Sequence, residues 1–410
     1  MSELLDVVIV GGGLVGGLTA LLLAQGGVQA TVLDAAPVLD REKVLAAPNP
    51  RVLALSQATI HLLQTANVWD KIARQMPYTG MHVWNKNGYG EISFGHASEK
   101  QPSLKQSLGS MVEPSLINLA IQQEMLEKVK DYRTQVKVVR IEKGVGCWIV
   151  QLADGTMLRT KLLIGADGAN SFVRDQAFIG LDVLDYKQSG VTCAIKTVQP
   201  HRHVARQIFL PTGPLAYLPM ASLDASENGY WQSIVWTLPS DYADEYSALD
   251  DDAFKRLLTL ESQNMLGGVV DVQSRATFPL KARSAEHYVL DGLALIGDAA
   301  HVIHPLAGQG VNIGTLDAAV LCDVLLHDLK RGVWAHAQTL KRYEHRRRGE
   351  NLAMMHSMSA IGWLETSEFY PVVWARNIGV NQVDKLATFK DAFMTQASGI
   401  NSLKQTRYAV

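Results

Sequence analysis

Residues 6–16, DVVIVGGGLVG, constrain the fold of this 410-residue chain more than any other stretch. DVVIV is a short apolar, β-branched run of the kind that forms a buried parallel strand. Gly11, Gly13 and Gly16 follow as G-x-G-x-x-G and open a helix over 14–25. The first glycine permits the tight turn, the second lets the backbone approach a pyrophosphate, and the third allows close helix–strand packing. The helix N-terminus, with Leu14 and Val15 in its first turn, offers free N–H groups and a favourable dipole to that phosphate. A second strand, ATVLDAAP at 30–37, ends at Asp34, about twenty residues on, where a carboxylate binds ribose hydroxyls. The plainer role of such an Asp is to cap a loop. The run at 4–24 is apolar enough to imitate a membrane span. Five glycines interrupt it, three of them consecutive, so a buried strand–turn–helix is expected instead.

That motif alone does not separate NAD from FAD. A second Gly-rich turn, GDAAHVIHPLAGQGVN at 297–312, makes the choice. Asp298 ends a buried strand, and Pro305 and Gly308-Gln309-Gly310 lead into a helix beginning near Asn312. Such a turn aims several N–H groups one way and sets a helix N-terminus against an anionic or electron-rich ligand. A reduced flavin, negative near N1 and O2, suits it, with Asp298 on the ribityl chain. A third piece, GADGANSFVR at 165–174, follows another buried strand and brings Asp167 toward the same ligand. Asp-Gly alone is usually just a turn; its company gives it meaning.

Hydrophobic residues make up 47% of the chain and charged residues 19%, as in a soluble globular enzyme. The formal net charge of −2 gives no pull toward nucleic acid. Cys147, Cys193 and Cys322 lie far apart without a C-x-x-C, so neither a metal site nor a disulfide framework is expected, and a reducing cytoplasm fits. No basic n-region opens the chain, so no secretory signal is expected. Helices are expected at 56–74, 114–131 and 250–266, a hairpin at 80–95, and a strand pair at 135–153 followed by a turn at Asp154-Gly155. From 188 to 240 short β-rich runs separated by Pro, Gly and Ser read as an antiparallel sheet. The expected architecture is α/β. A Rossmann-like FAD-binding domain (1–74, 108–180 and 281–345) interleaves with a mixed, mainly antiparallel substrate sheet (75–107 and 181–280), and a helical region (346–410) follows.

GGGLVGG, GADGANSFVR and LIGDAAHVIHPLAGQGVN are, in order and spacing, similar to the three FAD motifs of the class A flavoprotein monooxygenases, whose fold is that of p-hydroxybenzoate hydroxylase. Within that class, PLAGQGVNIGTLDAAVL (305–321), RVLALS (51–56) and LKRYEHRRRGENLAMM (340–355) resemble the ubiquinone-biosynthesis hydroxylases. The resemblance implies that Gly11, Gly13, Gly16 and Asp34 hold the ADP portion of FAD. Arg51 would contact the ribityl or phosphate region, Asp167 would lie close to the cofactor, and Asp298 would bind ribityl or pyrophosphate. Gly308, Gly310, Val311 and Asn312 would face the isoalloxazine. Asp34 replaces the commoner Glu and shortens the reach to the ribose. The helix at 114–125 has no Arg where many members carry one against FAD, which leaves Asn118 as its one candidate contact.

The implied reaction takes a hydride from transiently bound NAD(P)H and O2 through a flavin C4a-hydroperoxide to an aromatic ring. The protein must orient the ring and exclude water. Pro305 and the turn after it would wall the reactive face. His304 is the candidate base for deprotonating a phenol; the bland alternative for His304, and more so for His301, is a packed ring bonded to backbone. Tyr217, Pro219 and Trp231, with Leu218 and Trp236, are the candidate pocket for a lipophilic aromatic substrate, against the reading that they are ordinary sheet core. Arg346, Arg347 and Arg348 form either a solvated helix face or a basic surface near anionic lipid. The expected protein is thus a cytoplasmic hydroxylase of a polyprenylated phenol or benzoquinol, peripheral to the inner membrane face, open to association with other ubiquinone-synthesis enzymes or with copies of itself. The alternatives are a hydroxylase of a soluble catabolite or polyketide, and a flavoprotein without oxygenase chemistry, either a prenyl reductase or an assembly scaffold.

Overall fold

The computed structural model describes residues 3–87, 91–97, 104, 107–222, 224–273, 275–303, 310–366 and 394–409. It begins with β1 (Leu4–Val10), α1 (Leu14–Gln25) and β2 (Thr31–Leu33). Helix α1 is buried from Gly16 to Leu23, as an all-round apolar helix must be. Next come α2 (Arg41–Ala46), capped by Asp40, β3 (Leu53–Ser56) and α3 (Gln57–Thr65), capped by Ser56. Helix α3 stops short of residue 74 because Asn67 adopts a left-handed φ of 56°. Strands β4 (Met76–Tyr78), β5 (Gly80–Asn85), β6 (Glu91–Gly95) and β7 (Gly109–Val112) precede α4 (Pro114–Lys128) and β8 (Asp131–Arg133).

Strands β9 (Val138–Gly144) and β10 (Cys147–Leu152) form the expected pair, and Asp154-Gly155 turns β10 into β11 (Met157–Gly165). A short α5 (Phe172–Gln176) leads to the long β12 (Leu181–Thr197). Then follow β13 (Val204–Leu210), β14 (Gly213–Pro219), β15 (Trp231–Pro239), α6 (Ser240–Ala248) and α7 (Asp251–Glu261). The chain continues through β16 (Val269–Val272), β17 (Ala276–Ala285), β18 (Val289–Leu290), β19 (Leu293–Leu295) and β20 (His301–Val302). It closes with α8 (Gly310–Leu329), α9 (Ala337–Thr366) and α10 (Ile400–Leu403).

One sheet runs β18-β19-β11-β1-β2-β8, with β10 and β9 continuing from β11. Within it β19, β11, β1, β2 and β8 are mutually parallel neighbours. Successive elements leave β1 toward opposite sides, β2 on one and β11 on the other, so the C-terminal end of β1 is a topological switch point, where open α/β sheets bind ligands. A second sheet runs β20-β17-β12-β15-β14-β13-β5-β6, with β16 beside β12. It is antiparallel except where β13 meets β5. A small third sheet, β3-β7-β4, lies between them in chain order.

Three apolar clusters follow from this layering. The largest holds the first sheet with α1, α4 and α8. The second packs the back of the antiparallel sheet, with Tyr217 and Trp236, against Phe254 and Leu258 of α7. The third joins Met76 and Met111 of the small sheet to Ala194 and Ala205 of the large one. Helix α8 is long and apolar enough to cross a bilayer, yet most of it is buried inside the protein.

Candidate cofactor and substrate site

Three turns meet at the C-terminal ends of β1, β11 and β19. The Gly11 amide donates to Leu33 O at 2.8 Å, Ala166 N to Val10 O at 2.8 Å, and Ile296 N to Gly165 O at 3.0 Å. Gly11 has φ +103°, and a Cβ there would lie 2.3 Å from Ala166 O; at Gly16 it would lie 2.0 Å from Gly11 O. The turn therefore closes on itself and on the second loop, and only glycine fits. Gly13 is different: nothing lies within 4 Å of its Cβ position. It caps α1 with no side-chain bond, so the first N–H groups of a buried helix open onto free space, which is the chemistry of an anion site. Val15 packs against Gly297 and Gly314 and Leu14 against the first core, so these two side chains fasten the helix, and any ligand contact from them is through backbone.

Asp34 ends β2 beside this turn. One carboxylate oxygen accepts the Ala36 amide at 2.9 Å, and the other lies 2.6 Å from a Cβ built on Gly12. Asn118 is half-buried on α4, one turn before Ile121, which contacts Gly17 of α1. Arg51 is exposed, with its guanidinium 5.5 Å from the centre of the Phe278 ring.

In the second loop Asp167 has local partners. Asp167 accepts the Ser171 hydroxyl at 2.5 Å and the Val173 amide at 3.0 Å, so its carboxylate caps the start of α5. Burial nevertheless pushes this carboxyl above its ordinary range. The room for a ligand is next door, at Gly168, with φ +83° and nothing within 4 Å of its Cβ position. Arg174, buried, donates to Ala169 O at 3.3 Å and Ala299 O at 3.2 Å and so straps this loop to the third turn. Arg283 of β17 reaches the same Ala169 O at 2.7 Å. Neither arginine was singled out from the sequence, although Arg174 sits inside the quoted motif.

In the third turn Gly297 has φ +58°. Asp298 is open to solvent yet deep in the cleft, where the surrounding protein pushes its carboxyl upward and His301, Arg51 and Arg283 pull it back. His301, Arg51 and Arg283 therefore lie close enough to Asp298 to act on its carboxyl. His301 is buried, with Nε2 2.5 Å from Asp317 Oδ2, which makes it a packed, paired ring. Asn312 is tied to its neighbours. Its side-chain oxygen accepts Ser56 N and Thr59 Oγ1, both at 2.9 Å, and its amide donates to Ala54 O at 2.9 Å. That side chain holds α8 to β3 and α3. Among the described residues nothing lies within 4 Å of the Gly310 Cβ position, and Val311 is half-buried beside it. His304, Pro305 and Gly308 lie outside the described residues.

The residues expected to line a substrate pocket fall on both faces of the antiparallel sheet. Tyr217 is fully buried in the cluster behind the sheet, its hydroxyl 3.4 Å from Leu258 O, and Trp236 is buried with it. Pro219, two residues on, shares that side of β14 by strand alternation. Leu218 points to the other face and belongs, with Trp231, Met81 and Tyr78, to the third cluster around Met76, Met111 and Met220. Trp231 is anchored by Glu227, 2.8 Å from its indole nitrogen. This methionine-lined cluster between the small sheet and the antiparallel one has no periodic signature in the sequence.

The arginine run is likewise corrected. Arg347 is buried and paired with Asp317 at 2.8 Å, while Arg346 pairs with Asp323 at 3.1 Å. It is an interhelical fastening, not a basic surface. Open space at Gly13, Gly168 and Gly310, strung along converging turns, fits an extended dinucleotide with an anionic centre.

A family model described as an FAD binding domain matches residues 4–357. The ubiquinone hydroxylase UbiL of Rhodospirillum rubrum is 34% identical over 402 residues, covering 97% of this chain and 90% of that protein. The 3-demethoxyubiquinol 3-hydroxylase of Escherichia coli is 33% identical over 403 residues, covering 96% and 98%. Among solved structures, p-nitrophenol 4-monooxygenase from Pseudomonas putida superposes with a TM-score of 0.76 at 21% identity, covering 99% of this chain and all of that one; it shares the fold.

Proposed function

The chain belongs to the FAD binding domain family and, within it, to the ubiquinone-biosynthesis hydroxylases, and from that premise we propose its reaction in detail. It places a hydroxyl on the ring of a polyprenylated phenol or benzoquinol. One O2 and one NAD(P)H with a proton are consumed; one oxygen atom enters the ring and the other leaves as water. Bound FAD supplies the hydride-accepting and oxygen-activating centre. The chain's own residues do the rest. The Gly13 end of α1 binds pyrophosphate, Asp34 the ribose, and Asp298 with Arg51 the ribityl region. The start of α8 faces the electron-rich end of the flavin, and the methionine wall orients the lipid ring and keeps water out.

The observation that carries this reading is the convergence of three glycine turns at one switch point, in a chain whose third apolar cluster is built from deformable methionine side chains. Methionine adapts its shape, which suits a substrate with a long flexible tail. The substrate's lipid character also supports peripheral contact with the cytoplasmic membrane face, and association with other enzymes of the pathway or with a second copy belongs to the same reading. His304 is assigned the task of polarising the ring hydroxyl.

Mass spectrometry of quinones from cells lacking the protein tests the reading. An accumulated prenylated intermediate short of one ring oxygen supports it and identifies the carbon. A normal profile in cells with no redundant hydroxylase overturns it in favour of a soluble aromatic substrate. Unchanged turnover and coupling in His304→Ala removes the base.

A further inference from the structure

Asp317 of α8 is completely buried, and its two oxygens face different parts of the molecule. Oδ2 accepts Gly297 N at 3.1 Å and lies 2.5 Å from His301 Nε2. Gly297 and His301 bracket Asp298 at the heart of the cleft. Oδ1 accepts Arg347 Nε at 2.8 Å and Asn351 Nδ2 at 3.3 Å, both from α9. Arg347 spends its remaining donors on Glu350 at 2.5 Å, Asn351 Oδ1 at 2.8 Å and Ile313 O at 3.3 Å. Glu350 in turn accepts the Ser402 hydroxyl at 3.3 Å. A line of bonded groups thus runs from the third turn, through α8, to α9 and the last residues of the chain.

We propose that Arg347 is a positioning residue for the cofactor: through Asp317 it fixes the turn 297–301 that presents Asp298 to the flavin. The physical reason is that a buried carboxylate without its cation carries an uncompensated charge. Asp317 then relaxes toward whatever donors remain, and Oδ2, the oxygen that holds both Gly297 and His301, loses its geometry. Arginine is required because its planar fork serves four acceptors on two helices at once, which a single ammonium does not. The proposal rests on the flavin reading above, so binding of FAD by the wild-type chain is its baseline; a wild type that binds no FAD fails that reading before this one.

The test compares Arg347→Met with Arg346→Met in the full-length chain. Both break one α9–α8 ion pair, but only the first touches Asp317. FAD affinity is read by flavin fluorescence titration, cofactor seating by the flavin absorption spectrum, and fold by the melting temperature of the cofactor-free protein. Arg347→Met is expected to weaken FAD binding about tenfold or more, the scale of a lost charge-assisted hydrogen bond, with an altered flavin spectrum. Arg346→Met is expected to lower the melting temperature while leaving FAD affinity and spectrum as in the wild type. If Arg347→Met does not fold, Asp317→Asn, which keeps the shape but not the charge, carries the same comparison. The proposal is overturned if FAD affinity and spectrum are unchanged in the Asp317 or Arg347 variant. It is equally overturned if affinity falls only in proportion to melting temperature, in the same ratio as for Arg346→Met.

Discussion

Gly13 and Gly16 are both glycines of one motif, and the structure gives them opposite reasons. At Gly16 a methyl group would collide with the Gly11 carbonyl at 2.0 Å, so Gly16→Ala is expected to lower the melting temperature of the cofactor-free protein and abolish FAD binding. At Gly13 there is open space. Gly13→Val is expected to leave the cofactor-free melting temperature within a few degrees while weakening FAD binding at least about tenfold, because the side chain would occupy the phosphate's place. Calorimetry beside a flavin titration checks both. The motif was legible because only glycine satisfies the crowding at Gly11 and Gly16, while Gly13 leaves room for a ligand. Of the methionine cluster proposed as the substrate wall, only Leu218 and Trp231 were legible. Both faces of the antiparallel sheet are covered, so β14 reads as continuous apolar sequence with no alternation to set its phase. Tyr217 drew notice for its ring, whereas Met111 and Met220 carry no such mark. Met111→Trp, which fills the third cluster, is expected to raise KM for the lipid substrate several-fold and divert reducing equivalents to H2O2; an unchanged KM and coupling would place the ring elsewhere.

At the level of elements, α1 and α4 were legible from glycine, proline and hydrophobic pattern, and Pro114 indeed occupies the first turn of its helix. The end of α3 was misplaced because a left-handed Asn is a local choice that helical periodicity runs past. Helix α9 was misread for a long-range reason: the partner that buries Arg347 lies thirty residues earlier, on α8, and no local pattern distinguishes a buried arginine from its exposed neighbours. Helix α7 offers a test of element packing. Phe254 is fully buried against the back of the antiparallel sheet, so Phe254→Ala is expected to destabilise the protein by ~3–5 kcal/mol in denaturant titration. The absorption of bound flavin should persist at low denaturant, since the cofactor turns lie on the other sheet.

For the whole molecule, the buried pair between α8 and α9 also sets a pH dependence. Burial alone would raise the Asp317 carboxyl, but His301 and Arg347 hold it down to about 2, against 3.8 for the ordinary side chain. A carboxyl depressed on folding stabilises the protein fully above its unfolded value and loses that contribution as pH falls from about 4 toward 2, a change of roughly 2 kcal/mol. Asp167 and Asp298, pushed upward by burial, act in the opposite sense and favour the folded state as they become protonated. Asp317→Asn is therefore expected to flatten the acid limb of a stability-against-pH curve; an unaltered limb would show that other carboxylates govern it.

The three turns of the cleft lie at residues 11–16, 166–168 and 297–301, and β1 finds its parallel neighbour β11 only after some hundred and fifty residues. Such distant pairing makes assembly slow and leaves strand edges bare in the meantime. On the ribosome, then, the growing polypeptide has no place for its flavin until the last of these turns has emerged. A message cut short anywhere before that point yields a product that is both colourless and sticky, and the yellow of a bound flavin becomes a direct sign that synthesis passed the third turn.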